Sequence, residues 1–345
     1  MNTIHASAAL ALVMAIAPVA IPPATAQNVK VTPVGSHPGE LCANDRATIF
    51  EDPTGVRILY DAGQTVTGAD DTRLGTIHVV LLSHAHGDHI GDQKLKAVGA
   101  GECANSERLP AGPNSTTAEI AAAKNAAIVM TVDMGTFIGR KIENIRGKPV
   151  AVCPQTDGIT TVPVAAPCRS NTHLGGTFIA KTANAAQGVE ITIVYASHAN
   201  NVSSALLSEA QRASLGADGT GVVLGPPTGY VVRFTNGLVA YLSGDTGIHT
   251  DMKTVVNEFH RANLALLNLG PSAGTVTSGA YAMNELVRPA SVILSHPNEA
   301  VTEGGKLRPT SRTAAVIKQL KAPAYLAISG RTMEFDGKGK CVAGC

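Results

Sequence analysis

The stretch Ser83-His84-Ala85-His86-Gly87-Asp88-His89 sets three imidazoles and a carboxylate side by side, directly after the apolar run from Thr76 to Ser83. Only 15% of the chain is charged, so this crowding of titratable groups points to chemistry rather than to solvation. Imidazole nitrogen and carboxylate oxygen are the ligands an open zinc site uses. The same signal, a polar ligand-type residue where an apolar strand stops, recurs three times. His198 ends "GVEITIVYASH", Asp245 ends "GLVAYLSGD" and His296 ends "SVILSHP". In layered α/β architectures the strand ends on one edge meet in one crevice, so residues far apart in sequence converge there.

No cysteine lies at any of these four places, which argues against a closed structural zinc site. His84, His86, Asp88, His89, His198, Asp245 and His296 are too many for one tetrahedral ion and enough for two. Three histidines would serve one metal and an aspartate with two histidines the other, with one carboxylate left to bridge. Two zinc ions are therefore the expected cofactors, with manganese or iron(II) as alternatives. Asp61 in "YDAG", Ser83 and Ser243 flank ligand segments and are candidates to orient the ligands. His37, His78, His173, His249 and His260 lack a comparable context and are read as outside the site.

The elements that must position these residues follow from periodicity. Ala47 to Phe50 and Val56 to Tyr60 read as strands joined at Pro53 and Gly55, and Thr76 to Ser83 reads as a strand buried on both faces. "IGDQKLKAVGAG" reads as the start of a helix, and "EIAAAKNAAIVMTV" as a helix throughout. Residues 134–176, with Cys153 and Cys168, read as a Pro- and Cys-containing insertion over one face. "GYVVRFTNGLVAYLSGD" reads as a hairpin on Asn236-Gly237, the pair a type I′ turn prefers. "NLALLNLG", "SVILSHP" and "AYLAIS" are further strands, and "SGAYAMNELVRP" and "TSRTAAVIKQLK" are helices. Two groups of strands with helices between them imply two sheets with helices outside.

Bulk properties bound the function. The chain has 345 residues, a formal net charge of +1 and 3% aromatic residues without tryptophan, so it offers neither a basic field nor stacking platforms for nucleic acid. Residues 1–26 read as a secretory signal with Ala24-Thr25-Ala26 before the cleavage point, leaving a single domain over 27–345. The apolar run there is too short and too rich in proline for a span. The mature product is expected to be periplasmic or secreted, without a membrane span, acting on a small molecule. Six cysteines suit an oxidising compartment. Cys153 with Cys168 is the favoured local pair, and Cys341 with Cys345 is a tight one.

The H-x-H-x-D-H stretch, with the later His, Asp and His, resembles the metallo-β-lactamase-fold hydrolase superfamily over roughly residues 30 to 330. The segments "GYVVRFTNGLVAYLSGDTG", "ANLALLNLG" and "VRILYDAG" are similar to its ascorbate-6-phosphate lactonase-like branch. The usual early Gly-His pair of that branch is here Gly35-Ser36-His37. The resemblance implies a four-layer αββα sandwich with mixed sheets. It places His84, His86 and His198 on one metal, Asp88, His89 and His296 on the other, and Asp245 between them. Antibiotic-degrading lactamases usually lack an aspartate at that bridging position, whereas lactonases, thioesterases and phosphodiesterases carry one. The implied activity is dizinc hydrolysis of a small ester-like bond, lactone or phosphodiester ahead of β-lactam. A hydroxide bridging the metals would attack, with Asp88 orienting it. Two other readings share the fold: an iron-dependent redox enzyme, and a metal-binding protein without catalysis.

Overall fold

The computed structural model describes residues 27–216, 221–270 and 275–345. Residues 1–26, read as an export signal, lie outside them. Alternation along the strands dictates the layering. In Val79–Leu81, Val79 and Leu81 join a core that also contains Ile191, Ile193, Tyr230 and Leu242, while Val80 faces the other way, onto Ala118, Ile120 and Ile138. In Leu264–Asn268, Leu264 and Leu266 enter the same central core, and Ala265 and Leu267 face Met252, Val256 and Met283. Because side chains on a strand point alternately to opposite faces, each sheet is apolar on both. Each must be covered twice, once by the other sheet and once by helices. The result is a four-layer αββα sandwich, the metallo-β-lactamase fold.

One sheet runs in the order Cys168–Arg169, Ala127–Val129, Val79–Leu81, Arg57–Tyr60, Thr48–Glu51, Val29–Pro33, Met333–Phe335 and Cys341–Ala343. The other runs Ile159–Val162, Thr177–Thr182, Val189–Tyr195, Thr228–Arg233, Val239–Leu242, Leu264–Asn268, Ser291–Ser295 and Ala324–Leu326. Arg57–Tyr60, Val79–Leu81 and Ala127–Val129 are mutually parallel. In the second sheet Val239–Leu242, Leu264–Asn268 and Ser291–Ser295 are parallel, and Val189–Tyr195 shares their direction because two antiparallel pairings separate it from Val239–Leu242. The C-terminal ends that carry polar residues therefore lie on one edge.

Four local expectations are corrected. The run read as one helix to Val132 is the helix Thr116–Lys124 followed by the strand Ala127–Val129. Asn125, with φ +49°, closes the helix through its N–H to Ala121. After Ile90 there is no continuing helix. Gly87–Ile90 is a single turn, and Gln93–Leu95 pairs with Arg108–Pro110. Residues 134–176 are not an insertion over one face. They begin inside the helix Val132–Arg146, which buries Met134, Ile138 and Ile142, and continue into Ile159–Val162 and Cys168–Arg169, which join opposite sheets. The hairpin is not a two-residue type I′ turn. Phe234 N–H donates to Leu238 across a three-residue loop, Gly237 N–H donates back to Phe234, and positive φ occurs at Gly237 alone, which is a type I turn closed by a glycine bulge.

Cys42 pairs with Cys103 and Cys153 with Cys168, and Cys341 lies against Cys345. Among the described residues no helix is long and apolar enough to cross a membrane.

Candidate metal centre

Turns after the parallel strands carry the side chains in. Tyr60 hands over to Asp61, whose N–H donates to Leu81 O at 3.0 Å, so the first turn is zipped to the end of the neighbouring strand. Asp61, at φ +42°, then presents its carboxylate to the next turn. Oδ1 accepts the Ser83 N–H at 2.8 Å and Oδ2 accepts the Ser83 hydroxyl at 2.7 Å. A serine has one O–H to give, so Ser83 Oγ can only accept from His84 Nδ1, which lies 3.0 Å away. The proton of neutral His84 is thereby fixed on Nδ1, and Nε2 carries a bare lone pair. That atom is buried and has no hydrogen-bond partner among the described residues. Asp61 Oδ2 also accepts from His89 Nδ1 at 2.8 Å, which aims His89 Nε2 inward in the same way.

The structure brings all seven sequence-predicted side chains to one place. His84, His86 and His198 form one group, Asp88, His89 and His296 a second, and His84, His89 and Asp245 a third, each with ligand atoms within 4.8 Å of one another. His198 Nε2 lies 3.3 Å from His86 Nδ1, and His296 Nε2 lies 3.0 Å from His89 Nε2. Asp245 Oδ2 stands 3.4 Å from His296 Nε2, 3.5 Å from His89 Nε2 and 4.0 Å from His198 Nε2, so a single oxygen reaches members of both main groups.

Electrostatics set protonation. Burial holds His84 well below its ordinary pKa, with the charge of His89 adding to the effect. Burial also lowers His86, His198 and His296. At His89 burial acts against the charge, but Asp245, Asp88 and Asp61 outweigh it and raise the group to about 10. Burial would raise Asp88, yet His89 and Arg46 keep its carboxyl far below the usual range. Asp245 is likewise held well below, with the nearby His296 and His89 overcoming burial. Close-set imidazole nitrogens, an orphaned buried Nε2 and ionised carboxylates fit a divalent cation, which nitrogen and oxygen donors of this kind bind.

Of the orienting candidates, Asp61 and Ser83 touch ligands directly. Ser243 does not. Its hydroxyl donates to Gly244 O and accepts Asn268 N–H, so it shapes the turn beneath Asp245. Asn268 holds Asp245, its Nδ2 donating to Oδ1 at 3.1 Å. Asn268 ends a strand just as the ligands do, but an amide is not a zinc-ligand type and the signal passed unread. Arg46 was also missed. Its Nη2 lies 2.6 Å from Asp88 Oδ2. Asn200 fixes the first ligand turn, accepting Ala85 N–H at 2.7 Å while donating to Leu224 O at 2.8 Å. Gly270 makes room for His296, since a Cβ there would lie 2.7 Å from the ring. His78 accepts Arg57 N–H and His37 bonds Ser36 and Gly101, contacts with no member of the cluster.

No family model matches the chain. By sequence it is 22% identical over 262 residues to a UPF0173 metal-dependent hydrolase of Staphylococcus saprophyticus, spanning 74% of this chain and 85% of that protein. It is 27% identical over 278 residues to another UPF0173 metal-dependent hydrolase, from Cupriavidus metallidurans, spanning 76% and 75%. By structure it resembles Igni18, described as a novel metallo hydrolase of Ignicoccus hospitalis, with a TM-score of 0.53 and 20% identity over 90% of this chain and 99% of that one. That last likeness is one of fold.

Proposed function

We propose that this chain, a metal-dependent hydrolase of the metallo-β-lactamase superfamily, holds two zinc ions and cleaves a small ester-like bond, lactone or phosphodiester ahead of β-lactam. The observation that carries the reading is Asp245 Oδ2, which stands between the His84, His86, His198 group and the Asp88, His89, His296 group. Ions bound there would acidify a water molecule and polarise the carbonyl or phosphoryl oxygen it attacks.

The protein's own part is orientation. Asp61 and Ser83 fix the tautomers of His84 and His89, so neither of these two rings has to flip or shed an Nδ1 proton before ligating. Asp88 is the more open carboxylate, 33% exposed against 4% for Asp245. It can accept a hydrogen bond from the attacking water and aim it. Held so far below the usual range, it is too weak a base to keep the proton.

Full-length mature protein assayed on lactones, phosphodiesters, thioesters and β-lactams tests this. Turnover of a lactone or phosphodiester that chelator abolishes and zinc restores is expected. Chelator-insensitive turnover, or none on any class, contradicts it. The same reading treats residues 1–26 as an export signal. The mature chain recovered from the periplasm or medium would then begin at Gln27, and retention of Met1 would refute export by cleavage.

A further inference from the structure

Arg46 is the buried charge that the hydrolytic reading leaves without a role. It precedes the strand Thr48–Glu51, its side chain is 3% exposed, and Nη2 lies 2.6 Å from Asp88 Oδ2. The same Nη2 donates to Asn298 Oδ1 at 2.8 Å. Asn298 follows His296 by two residues, and both are held at positive φ, +54° and +50°. One guanidinium therefore ties the turn carrying Asp88 to the turn carrying His296. Among the described residues its Nε and Nη1 are buried without a partner, and the one carboxylate it reaches by hydrogen bond or ion pair is a ligand of one group. Asp88 Oδ2 is also the oxygen that faces His296 Nε2, at 3.4 Å, and His89 Nε2, at 3.7 Å. The atom placed to bind a metal is the atom Arg46 already holds.

Two consequences oppose each other. A clamp that fixes Asp88 and the His296 turn in register favours binding by reducing the order that binding must impose. A permanent positive charge on the ligand oxygen disfavours it, because it draws off the carboxylate's lone pair and repels a dication a few ångströms away. At the effective dielectric of a protein site such a Coulomb repulsion outweighs the ordering of one short side chain. An arginine stays protonated throughout, so the bias is constant rather than switched by pH.

We propose that Arg46 is a positioning residue that locks Asp88 and the His296 turn together while its charge makes the Asp88, His89, His296 subsite the weaker of the two. This rests on the two-metal reading above. Among the described residues the His84, His86, His198 subsite has no guanidinium as a hydrogen-bonded or ion-paired neighbour, and it fills first.

The test is zinc titration of the metal-free full-length chain against a chromophoric chelator, with cobalt(II) absorption reporting each equivalent separately. Wild type is expected to bind two equivalents with affinities at least about tenfold apart. Arg46→Gln removes the charge and is expected to tighten the second equivalent by about tenfold, leaving the first unchanged. Arg46→Lys keeps the charge but loses the planar fork, and is expected to bind the second equivalent no more tightly than wild type. A purely structural role would weaken metal binding in both variants, so the opposite signs carry the inference. If Arg46→Gln fails to fold, judged by circular dichroism without metal, the wild-type titration still decides, and two equal affinities overturn the proposal. Two unequal sites with an unchanged or weakened second site in a folded Arg46→Gln overturn it as well and leave the two-metal reading standing. A wild-type chain that takes up one equivalent or none removes both.

Discussion

At the scale of single residues, partners beneath the cluster fix the Nδ1 protons of His84 and His89 and aim both Nε2 atoms at the other ligand-type groups. Asp61 does most of this, since it reaches both His89 and Ser83, and Ser83 reaches His84. Asp61→Ala should lower metal affinity or activity by roughly 10- to 100-fold, the usual cost of losing a group that orients a ligand imidazole. His84→Ala or Asp245→Ala should abolish turnover. Either set of rates at wild-type level would remove those residues from the mechanism. Protonation makes a separate prediction. In the metal-free chain His89 keeps its second proton up to about 10, and a metal must displace it. Zinc uptake at neutral pH should therefore release a proton into a weakly buffered indicator solution, and affinity should rise with pH up to about 10. The stability sign is also fixed. Because the folded value is raised, its contribution to the metal-free fold is complete below about 6.5 and is lost as pH climbs through about 10. Metal uptake without proton release would show that His89 is neutral beforehand. The seven ligand-type residues were legible because imidazoles and carboxylates are conspicuous at the ends of apolar strands. Arg46 was not, because an arginine in "NDRATIF" looks like any solvated surface cation until the fold buries it against Asp88.

At the scale of elements, the site depends on turns being pinned to strands that end in register. Tyr60 illustrates this. Its hydroxyl accepts Gly244 N–H at 3.0 Å, linking the first sheet to the turn that carries Asp245. Tyr60→Phe leaves that buried N–H without its acceptor and should cost about 1–3 kcal/mol in denaturant unfolding. A loss near zero would mean the turn finds another acceptor. Strand ends could be read from sequence wherever an apolar run met a histidine or aspartate. Two kinds of boundary could not. The helix Thr116–Lys124 gives way to Ala127–Val129 without a proline or glycine, through an Asn125 that adopts the left-handed region, and alanine-rich sequence hides that change. The helix Val132–Arg146 was obscured because Gly135 and Gly139 interrupt its apolar stripe, although Met134, Ile138 and Ile142 still face the sheet.

At the scale of the whole molecule, two sheets apolar on both faces leave few arrangements, which is why the sandwich could be anticipated from strand grouping and alternation. What alternation cannot supply is which strands lie at the edges. Residues 150–170 look like a loop because their strands are short, yet Ile159–Val162 and Cys168–Arg169 extend one sheet each. The Cys153–Cys168 bridge, with a sequence separation of 15, constrains that stretch. Replacing both cysteines by serine should lower the unfolding free energy by about 3 kcal/mol, the loop-closure value for a ring of that size. An unchanged unfolding midpoint would show that the edge strands need no such constraint.

The central claim is that seven dispersed side chains enclose two cations, and anomalous diffraction at the zinc edge from crystals of the zinc-loaded chain tests it most directly. Two peaks are expected, one among His84, His86 and His198 and one among Asp88, His89 and His296, with Asp245 touching both. A single peak, or peaks that leave His198, Asp245 or His296 without a bond to metal, would contradict the account.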